Sequence, residues 1–483
     1  MHRARAGASV APTLNTASAA PLDVESRLER RLTTWDATSL TIGSVVGTGI
    51  FLTTSDIASR LPQPGWILLV WIAGGLLSLA GALTYAELGA MFPRAGGIYH
   101  FLKAAYGPLC AFLYGWTAFL VIMSGGIAAL AVGFGTYLGA FVPFFAVDHV
   151  LAAVPVGGYT WTLNGAQVAA AAAIVFLTEV NTRGLRAGAG VQNLLTLAKA
   201  GSIGFLVVVG LVLPARVDPQ WTAPVSGVSG SLLVAFGVGM IAALWTYDGW
   251  YGLTFSAGEL RDPGRSLPRG LLYGTAAVTV LYLLVNVVYC RALSTAEMAA
   301  SSRIGEAAAA AMAGATAARW VAGAVVVSTF GCLAATILYA SRIYPAMAAD
   351  GAFFRAVATI DPQTHVPRTS LRLQAVWSVL LTLSGTYEQL YTYVIFAALL
   401  FHVATAVALF VLRARQPAAP RPYRVWGYPV VPLLFIAASL PLVGNTLATS
   451  PVESFLGLGL VALGLPAWAL WKRAGRNTAG GSV

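Results

Sequence analysis

Two short stretches place glycine and polar residues inside segments that are otherwise apolar. The first, GSVVGTGIF at residues 43–51, contains three glycines, and the second, WTYDG at residues 245–249, contains Asp248. A glycine in a helix interior costs roughly 1 kcal/mol relative to alanine, and an acid within an apolar helix is costly as well. Each stretch therefore predicts an interrupted helix.

An interrupted helix has a defined binding chemistry. The half that begins at the interruption presents free N–H groups and the positive end of its dipole, which suit a carboxylate. The half that ends there offers carbonyl oxygens to an ammonium group. One interruption can thus bind both ends of an α-amino acid. For a single stretch, close helix packing through small residues is an equally good interpretation; the second stretch favours a binding site.

The composition places these stretches in a membrane. Of the 483 residues, 58% are hydrophobic and 10% are charged, too few charges to cover the surface of a soluble protein. A run of about 20 apolar residues crosses a bilayer as a helix. We therefore expect an all-α integral membrane protein with twelve spans, at residues 36–59, 66–92, 105–142, 163–182, 188–213, 229–257, 268–290, 317–348, 369–386, 388–412, 428–448 and 454–472.

The distribution of basic residues predicts the orientation. With both termini in the cytoplasm, 23 of the 29 Lys and Arg residues lie in cytoplasmic segments and 5 in outer segments, as the positive-inside rule requires. The net charge of +11 then needs no nucleic-acid partner. Residues 1–33 lack the apolar core of a signal peptide. We expect them to form a disordered cytoplasmic tail, with a second tail at 473–483.

The two interruptions occupy matching places in two five-span halves, residues 34–213 and 229–412, which are followed by a helix pair at 413–472. Interrupted spans at corresponding positions are typical of transporters built from inverted repeats.

Three stretches resemble the amino acid–polyamine–organocation (APC) superfamily, and most closely its L-type amino acid transporter branch: GSVVGTGIF, TYAELGAMFPRAGGIYHFLKAAYGPLCAFLYGW (84–116) and WTYDGWYGLTFSAGELRDPGRSLPRGL (245–271). The resemblance implies the leucine-transporter fold, a 5+5 inverted repeat with broken helices 1 and 6, plus helices 11 and 12. It implies sodium-independent secondary transport of L-amino acids, neutral ones foremost, by alternating access across the cytoplasmic (inner) membrane. Proton symport and amino acid exchange both stay open, and a carrier of cationic amino acids or polyamines is the alternative.

The resemblance also implies where the substrate binds. Backbone amides of the first break would meet the carboxylate, and carbonyls of both breaks would meet the ammonium. The residues concerned are Val45, Gly47, Thr48, Gly49, Trp245, Tyr247 and Asp248. Trp245 falls where the family places an aromatic outer gate. The Asp248 carboxylate either braces the unwound segment, which we favour, or faces the pocket and selects a cationic side chain.

Lys199 is the one basic residue placed within a span. In similar sodium-independent members, a lysine on helix 5 stands in for sodium and ties helix 1 to helix 8. Lys199 then either exchanges a proton and couples transport to H⁺, or stays charged; a lysine snorkelling to an interface is a third interpretation. On helix 8, Cys332 stands where the branch often has serine. Ser328, one turn earlier, is the substitute partner.

Three further titratable residues have two interpretations each. Glu87 and Glu259 lie near cytoplasmic ends of spans, where they form inner-gate salt bridges or, more commonly, solvated charges. His402 lies within span 10 and either relays protons or, more commonly, packs in the core.

The sequence lacks the features of other function classes. A membrane-embedded enzyme needs a nucleophile, acid–base or metal cluster, and a sensor needs an appended signalling domain; we find neither, nor a nucleotide-binding motif. We expect no catalytic residue, cofactor or metal. In the vertebrate L-type relatives, a cysteine in the loop after helix 3 bonds an ancillary subunit. The corresponding loop, 143–162, has no cysteine, so we expect no disulfide-linked partner.

Overall fold

The computed structural model describes residues 32–94, 96–156, 159–183, 199, 201–224, 227–228, 230–364 and 366–479. Its first helices are α1 (Thr34–Val45), α2 (Thr53–Arg60), α3 (Pro64–Met91), α4 (Ile98–Tyr106), α5 (Pro108–Thr117), α6 (Met123–Leu138), α7 (Gly165–Thr182), α8 (Gly201–Val212) and α9 (Leu232–Tyr247). Those that follow are α10 (Pro263–Ala292), α11 (Thr295–Ala299), α12 (Ile304–Ala340), α13 (Ile343–Ala349), α14 (Arg368–Thr382), α15 (Tyr387–Arg415), α16 (Val430–Thr449) and α17 (Pro451–Ala479).

Nine helical stretches within the described residues are long and apolar enough to cross a membrane. Some are single helices, such as α3, α10 and α15, and others join neighbouring helices, such as α5 and α6 through the π-helical residues 118–122. The predicted first and ninth spans contain shorter helices, of which α1 has 12 residues and α14 has 15. The fold is therefore that of a multi-pass helical membrane protein.

Local sequence signals set several helix starts. Proline occupies a first helical position in α3, α5 and α10, where its missing N–H costs nothing. Four helices begin with a capping box, in which two side chains satisfy each other's free backbone N–H groups. The pairs are Thr33/Asp36, Asn164/Gln167, Ser294/Glu297 and Thr386/Gln389.

The ends of the chain differ from the predicted tails. The N–H of Leu32 donates to the Glu259 carbonyl and the N–H of Arg261 donates to the Leu32 carbonyl, each at 3.0 Å. The fold therefore includes the last two residues of the predicted tail, and residues 1–31 lie outside the described residues. At the other end α17 continues to Ala479, beyond the predicted boundary at 472.

One element departs from the all-α expectation. Strands β1 (Val150–Val156) and β2 (Tyr159–Asn164) form an antiparallel hairpin between α6 and α7. Its β-branched and aromatic residues favour strands. The hairpin is fixed to the helices by Trp161, whose Nε1 donates to the Leu383 carbonyl at 2.7 Å. The segment predicted as the loop 143–162 is thus partly a hairpin.

The predicted first span is broken. Helix α1 ends at Val45, Val46 is extended (φ −72°, ψ 95°), and a 3₁₀ turn over Gly49–Phe51 leads into α2. No continuous ladder of i→i−4 hydrogen bonds joins α1 to α2 within these described residues. The two halves of the span are therefore separate short helices.

The predicted sixth span is broken as well. Helix α9 ends at Tyr247, Asp248 is extended, and Gly249 has φ +99°, before a 3₁₀ helix over Gly252–Glu259. Only glycine adopts this backbone conformation without strain. The two breaks touch, because Ser44 Oγ donates to the Gly249 carbonyl at 3.0 Å. A Cβ added to Gly249 would lie 2.7 Å from the Ser44 carbonyl oxygen.

Glu87, at the end of α3, is completely buried. Its carboxylate accepts hydrogen bonds from Arg413 at 2.6 and 2.9 Å and from the N–H of Val425 at 2.7 Å. Arg421 lies 3.4 Å away. The interpretation of Glu87 as a solvated charge is therefore wrong, because the chain after α15 folds back over it. A gating role for Glu87 stays a prediction.

We expect Gly249→Ala to lower the thermal unfolding midpoint of the detergent-solubilised protein. Backbone strain of about 1–3 kcal/mol adds to the clash with the Ser44 carbonyl. Gly252→Ala is the matched control, since its added Cβ would lie 3.6 Å from Ser44 Oγ, an ordinary contact. Equal midpoints for the two variants would contradict the described path of the second break.

We expect Glu87→Gln to lower the same midpoint strongly. Removing one partner of a buried ion pair leaves uncompensated charge, here on Arg413 and Arg421, and costs roughly 3–5 kcal/mol. Glu179→Gln breaks an ion pair with Arg372 in which both side chains are about half exposed, and we expect little change from it. A Glu87→Gln protein as stable as the wild type would show that the buried cluster contributes nothing.

Candidate functional site

The two helix breaks face one cavity, which contains about 470 Å³ of empty space including the part that opens to solvent. Its walls come from the first break, the α5–α6 segment, the second break and α12. Among the described residues these are Ser44, Val45, Gly47, Gly49, Ile122, Met123, Gly126, Leu130, Trp245, Thr246, Asp248, Tyr251, Cys332, Thr336 and Tyr339. The fold thus brings together segments about 200 residues apart in the chain.

Five of the predicted substrate-binding residues line this cavity, namely Val45, Gly47, Gly49, Trp245 and Asp248. Small size is needed at two of them. A Cβ on Gly49 would lie 2.9 Å from the Thr246 Cα, and a Cβ on Gly47 would lie 3.1 Å from a Leu130 methyl. Gly49 therefore lets the two breaks approach each other, and Gly47 leaves room beside Leu130 of α6.

Thr48 and Tyr247 are not among the described residues that line the cavity. Thr48 is fully buried and lies against Gly133 of α6. The Tyr247 hydroxyl donates to the Trp71 carbonyl at 3.1 Å, so this side chain points toward α3. The Tyr247 side chain is therefore not placed to contact a ligand in the cavity, which corrects the prediction for this residue, and a role for the Thr48 hydroxyl stays a prediction.

Tyrosine hydroxyls stabilise the backbone that the first break leaves unpaired. Three of them donate to its carbonyls: Tyr282 to Val45 at 3.1 Å, Tyr289 to Ile50 at 3.2 Å and Tyr137 to Phe51 at 2.8 Å. A carbonyl oxygen has two lone pairs, so Val45 keeps one acceptor position for a further donor. The sequence analysis missed these tyrosines; their signal is a hydroxyl in an apolar helix, which needs a partner.

The side chain of Lys199 contacts the C-terminal end of α1 from another part of the chain. This side chain is 1% exposed, and Nζ donates to the Gly43 carbonyl at 3.2 Å. The interpretation of a lysine snorkelling to an interface is therefore wrong. The Nζ group instead meets the negative end of the α1 dipole, and its protonation state stays open.

The two candidate partners on α12 differ in position. Cys332 Sγ lines the cavity and lies 3.8 Å from the Ser44 carbonyl, to which it donates a weak hydrogen bond. Ser328 Oγ is buried and has no hydrogen-bond partner in the described part of the chain. Lys199 and Cys332 thus meet consecutive carbonyls of α1.

The Asp248 carboxylate accepts a hydrogen bond within its own break, from the hydroxyl of Tyr251 at 3.4 Å. Asp248 also borders a second cavity, which His402 lines as well. His402 Nδ1 shares a hydrogen bond of 2.7 Å with the Tyr85 hydroxyl. Asp248 therefore lies between the two cavities, and its bracing of the unwound segment stays a prediction.

Trp245 is held by two tyrosines of α15. Its Nε1 donates to the Tyr387 hydroxyl at 2.8 Å. Its ring stacks on that of Tyr391, with ring centroids 6.1 Å apart and an angle of 17° between the ring planes. The sequence analysis identified the tryptophan and missed both tyrosines.

Glu259 forms an ion pair with Arg342 at 3.0 Å, with both side chains mostly buried. Arg342 also donates to Ser256 Oγ at 3.1 Å. This contact joins the segment after the second break to the end of α12. The structure thus favours the ion pair over a solvated charge, and its role as a gate stays a prediction.

Comparison with known proteins gives a consistent result. The amino acid permease family model matches residues 32–458. The serine/threonine exchanger SteT of Bacillus subtilis (strain 168) is 29% identical over 441 residues, covering 90% of this chain and 95% of that protein. The human b(0,+)-type amino acid transporter 1 is 30% identical over 435 residues, covering 89% and 85%. The human large neutral amino acids transporter small subunit 2 is 29% identical over 447 residues, covering 92% and 80%.

The family match includes both helix breaks and every residue of the cavity. This chain therefore belongs to the amino acid permease family, and it is an amino acid transporter and not an enzyme.

Proposed function

We propose that this protein exchanges neutral L-amino acids across the cytoplasmic membrane, independently of sodium and by alternating access. The observation that carries the proposal is the single cavity on which the two helix breaks converge. The likeness to transporters named for serine, threonine and large neutral amino acids supports the substrate class.

The cavity offers complementary groups for a zwitterion. Backbone N–H groups at residues 47–49, near the start of the second half-helix, bind the carboxylate. The free lone pair of the Val45 carbonyl accepts from the ammonium. The side chain then extends toward Met123, Gly126 and Leu130, whose apolar surface suits a neutral group.

The topology follows the fold implied by the sequence. Twelve spans form two inverted five-span repeats, 34–213 and 229–412, with a further pair at 413–472, and both termini face the cytoplasm. The two broken spans are the first of each repeat, which supports this arrangement. Because residues 184–198 and 200 are not described, the start of span 5 rests on the sequence alone.

We propose exchange rather than proton symport, with the Lys199 side chain protonated throughout the cycle. Its ammonium is bonded to the Gly43 carbonyl and acts as a fixed cation in place of sodium. The name of the bacterial relative, an exchanger, agrees with this. A fixed cation leaves the return step to be driven by a second amino acid.

Proteoliposomes test this proposal. We expect radiolabelled L-serine or L-leucine to enter only when unlabelled amino acid is inside, without dependence on sodium or a pH gradient. The substrate should also slow modification of Cys332 by N-ethylmaleimide, because this thiol lines the cavity; Cys332→Ser identifies the signal. Uptake driven by a pH gradient and lost in Lys199→Ala would contradict exchange and favour proton symport.

Cationic amino acids are a second candidate substrate, favoured by Asp248 in the cavity wall. If the carboxylate binds a cationic side chain, Asp248→Asn raises KM for L-arginine about tenfold or more and leaves KM for L-serine within about twofold, since an ionic hydrogen bond contributes roughly 1.5–3 kcal/mol. If Asp248 only braces the break, which we expect, Asp248→Asn lowers transport of every substrate alike. Asp218→Asn, at an exposed acid, is the matched control.

We also retain the prediction that this chain works without a disulfide-linked partner, since the segment 143–162 has no cysteine. Its surroundings are the lipids of the bilayer.

A further inference from the structure

We propose that Asp56 is a positioning residue of the gate over the cavity, and that it acts through Tyr391 on Trp245. The inference rests on the proposed function, because it takes this cavity as the substrate site. Asp56 lies on α2, Tyr391 on α15 and Trp245 on α9, so the contact joins three helices that belong to different parts of the chain.

The contact is continuous. The Tyr391 hydroxyl donates to Asp56 Oδ2 at 2.8 Å, and the Tyr391 ring stacks against the Trp245 indole. Tyr387, one turn before Tyr391 on α15, holds the indole Nε1 at 2.8 Å. The two tyrosine rings touch edge to face, with centroids 5.4 Å apart. The indole therefore cannot leave the cavity wall without breaking its bond to Tyr387 and separating from Tyr391.

Asp56 determines the position of this pair of rings. A hydrogen bond to a carboxylate is about twice as strong as one between neutral groups, and Tyr391 is almost fully buried, so the bond is protected from water. The one ion pair between these two helices in the described residues is Arg60–Glu388. It measures 3.9 Å between side chains that are more than half exposed, and such pairs contribute little.

The contact therefore predicts a specific effect on opening. When the Asp56–Tyr391 bond is absent, α15 and α2 separate more readily, the stack on Trp245 loosens, and the cavity opens more often toward the side of the membrane that α2 faces. Loss of this bond leaves the groups at the two breaks that bind the substrate unchanged. Asp56 thus sets how often the gate opens, and the breaks set what binds.

Cys332 provides a native reporter. It lines the cavity. Of the other two cysteines, Cys290 is buried elsewhere and Cys110 is half-buried. A membrane-impermeant maleimide is added to the reconstituted protein from the side that α2 faces, and modification of Cys332 is followed by mass spectrometry. We expect Asp56→Asn, which weakens the bond by removing the charge, to raise the rate several-fold, and Tyr391→Phe, which removes the bond, to raise it about tenfold. The double variant should label no faster than Tyr391→Phe, because both substitutions act on the same bond.

Two variants test whether the effect is specific. Asp218→Asn and Tyr273→Phe change an exposed acid and an exposed tyrosine in the same way, and we expect both to label at the wild-type rate. Tyr391→Phe keeps the ring stack, so it remains informative if Asp56→Asn accumulates poorly. Thermal midpoints of all variants are measured in parallel, because general loosening lowers the midpoint and gives additive effects in the double variant.

The outcomes separate this inference from the proposed function. Wild-type labelling rates in Asp56→Asn and Tyr391→Phe, with substrate still protecting Cys332, overturn the role of Asp56 and leave the transporter intact. Additive rates in the double variant also overturn it. Failure of every amino acid to protect Cys332 in the wild type overturns the substrate site instead.

Discussion

A bilayer contains no water to satisfy backbone N–H and C=O groups, so a helix broken within it needs internal partners. Two breaks meet in this protein, and the surrounding helices supply those partners. Helix α10 contributes two tyrosine hydroxyls to the first break, α6 contributes one, and Ser44 bonds the two breaks to each other. The two breaks also line the cavity. In the proposed function, the substrate binds the backbone groups of the breaks that the surrounding helices do not pair.

The breaks also bear on how the helices of a transporter can move. No helical ladder crosses either break among the described residues, so each broken span has halves that can shift independently. On one side, Leu32 bonds the chain before α1 to the segment after the second break. On the other, the Thr53 and Thr246 hydroxyls lie 2.7 Å apart and join α2 to α9. Each half-helix is therefore paired with the half-helix of the other broken span.

The sequence located both breaks, because glycines and an acid conflict with an apolar helix wherever they occur. It could not assign side-chain directions there. Thr48 lies within the first break and Tyr247 ends a helix that is apolar on all sides, so the sequence pattern specifies no facing surface at either position. The structure turns the Tyr247 hydroxyl toward α3. Glu87 stands at a helix end, where solvent is the ordinary neighbour; its burial depends on the return of the chain at Val425. The sequence around the donors Tyr137, Tyr282 and Tyr289 does not distinguish them from tyrosines that only pack in the core.

The contacts at the two ends of the cavity differ in chemistry, and this difference bears on how each closes. Between the segment after the second break and α12 lies the ion pair Glu259–Arg342, whose long side chains can break and re-form their contact with little change in packing. Over Trp245 lie stacked aromatic rings fixed by a short hydrogen bond. Stacked rings exclude water well and separate only when whole helices move. The aromatic end therefore requires the larger rearrangement, and a carboxylate on a neighbouring helix is well placed to regulate it.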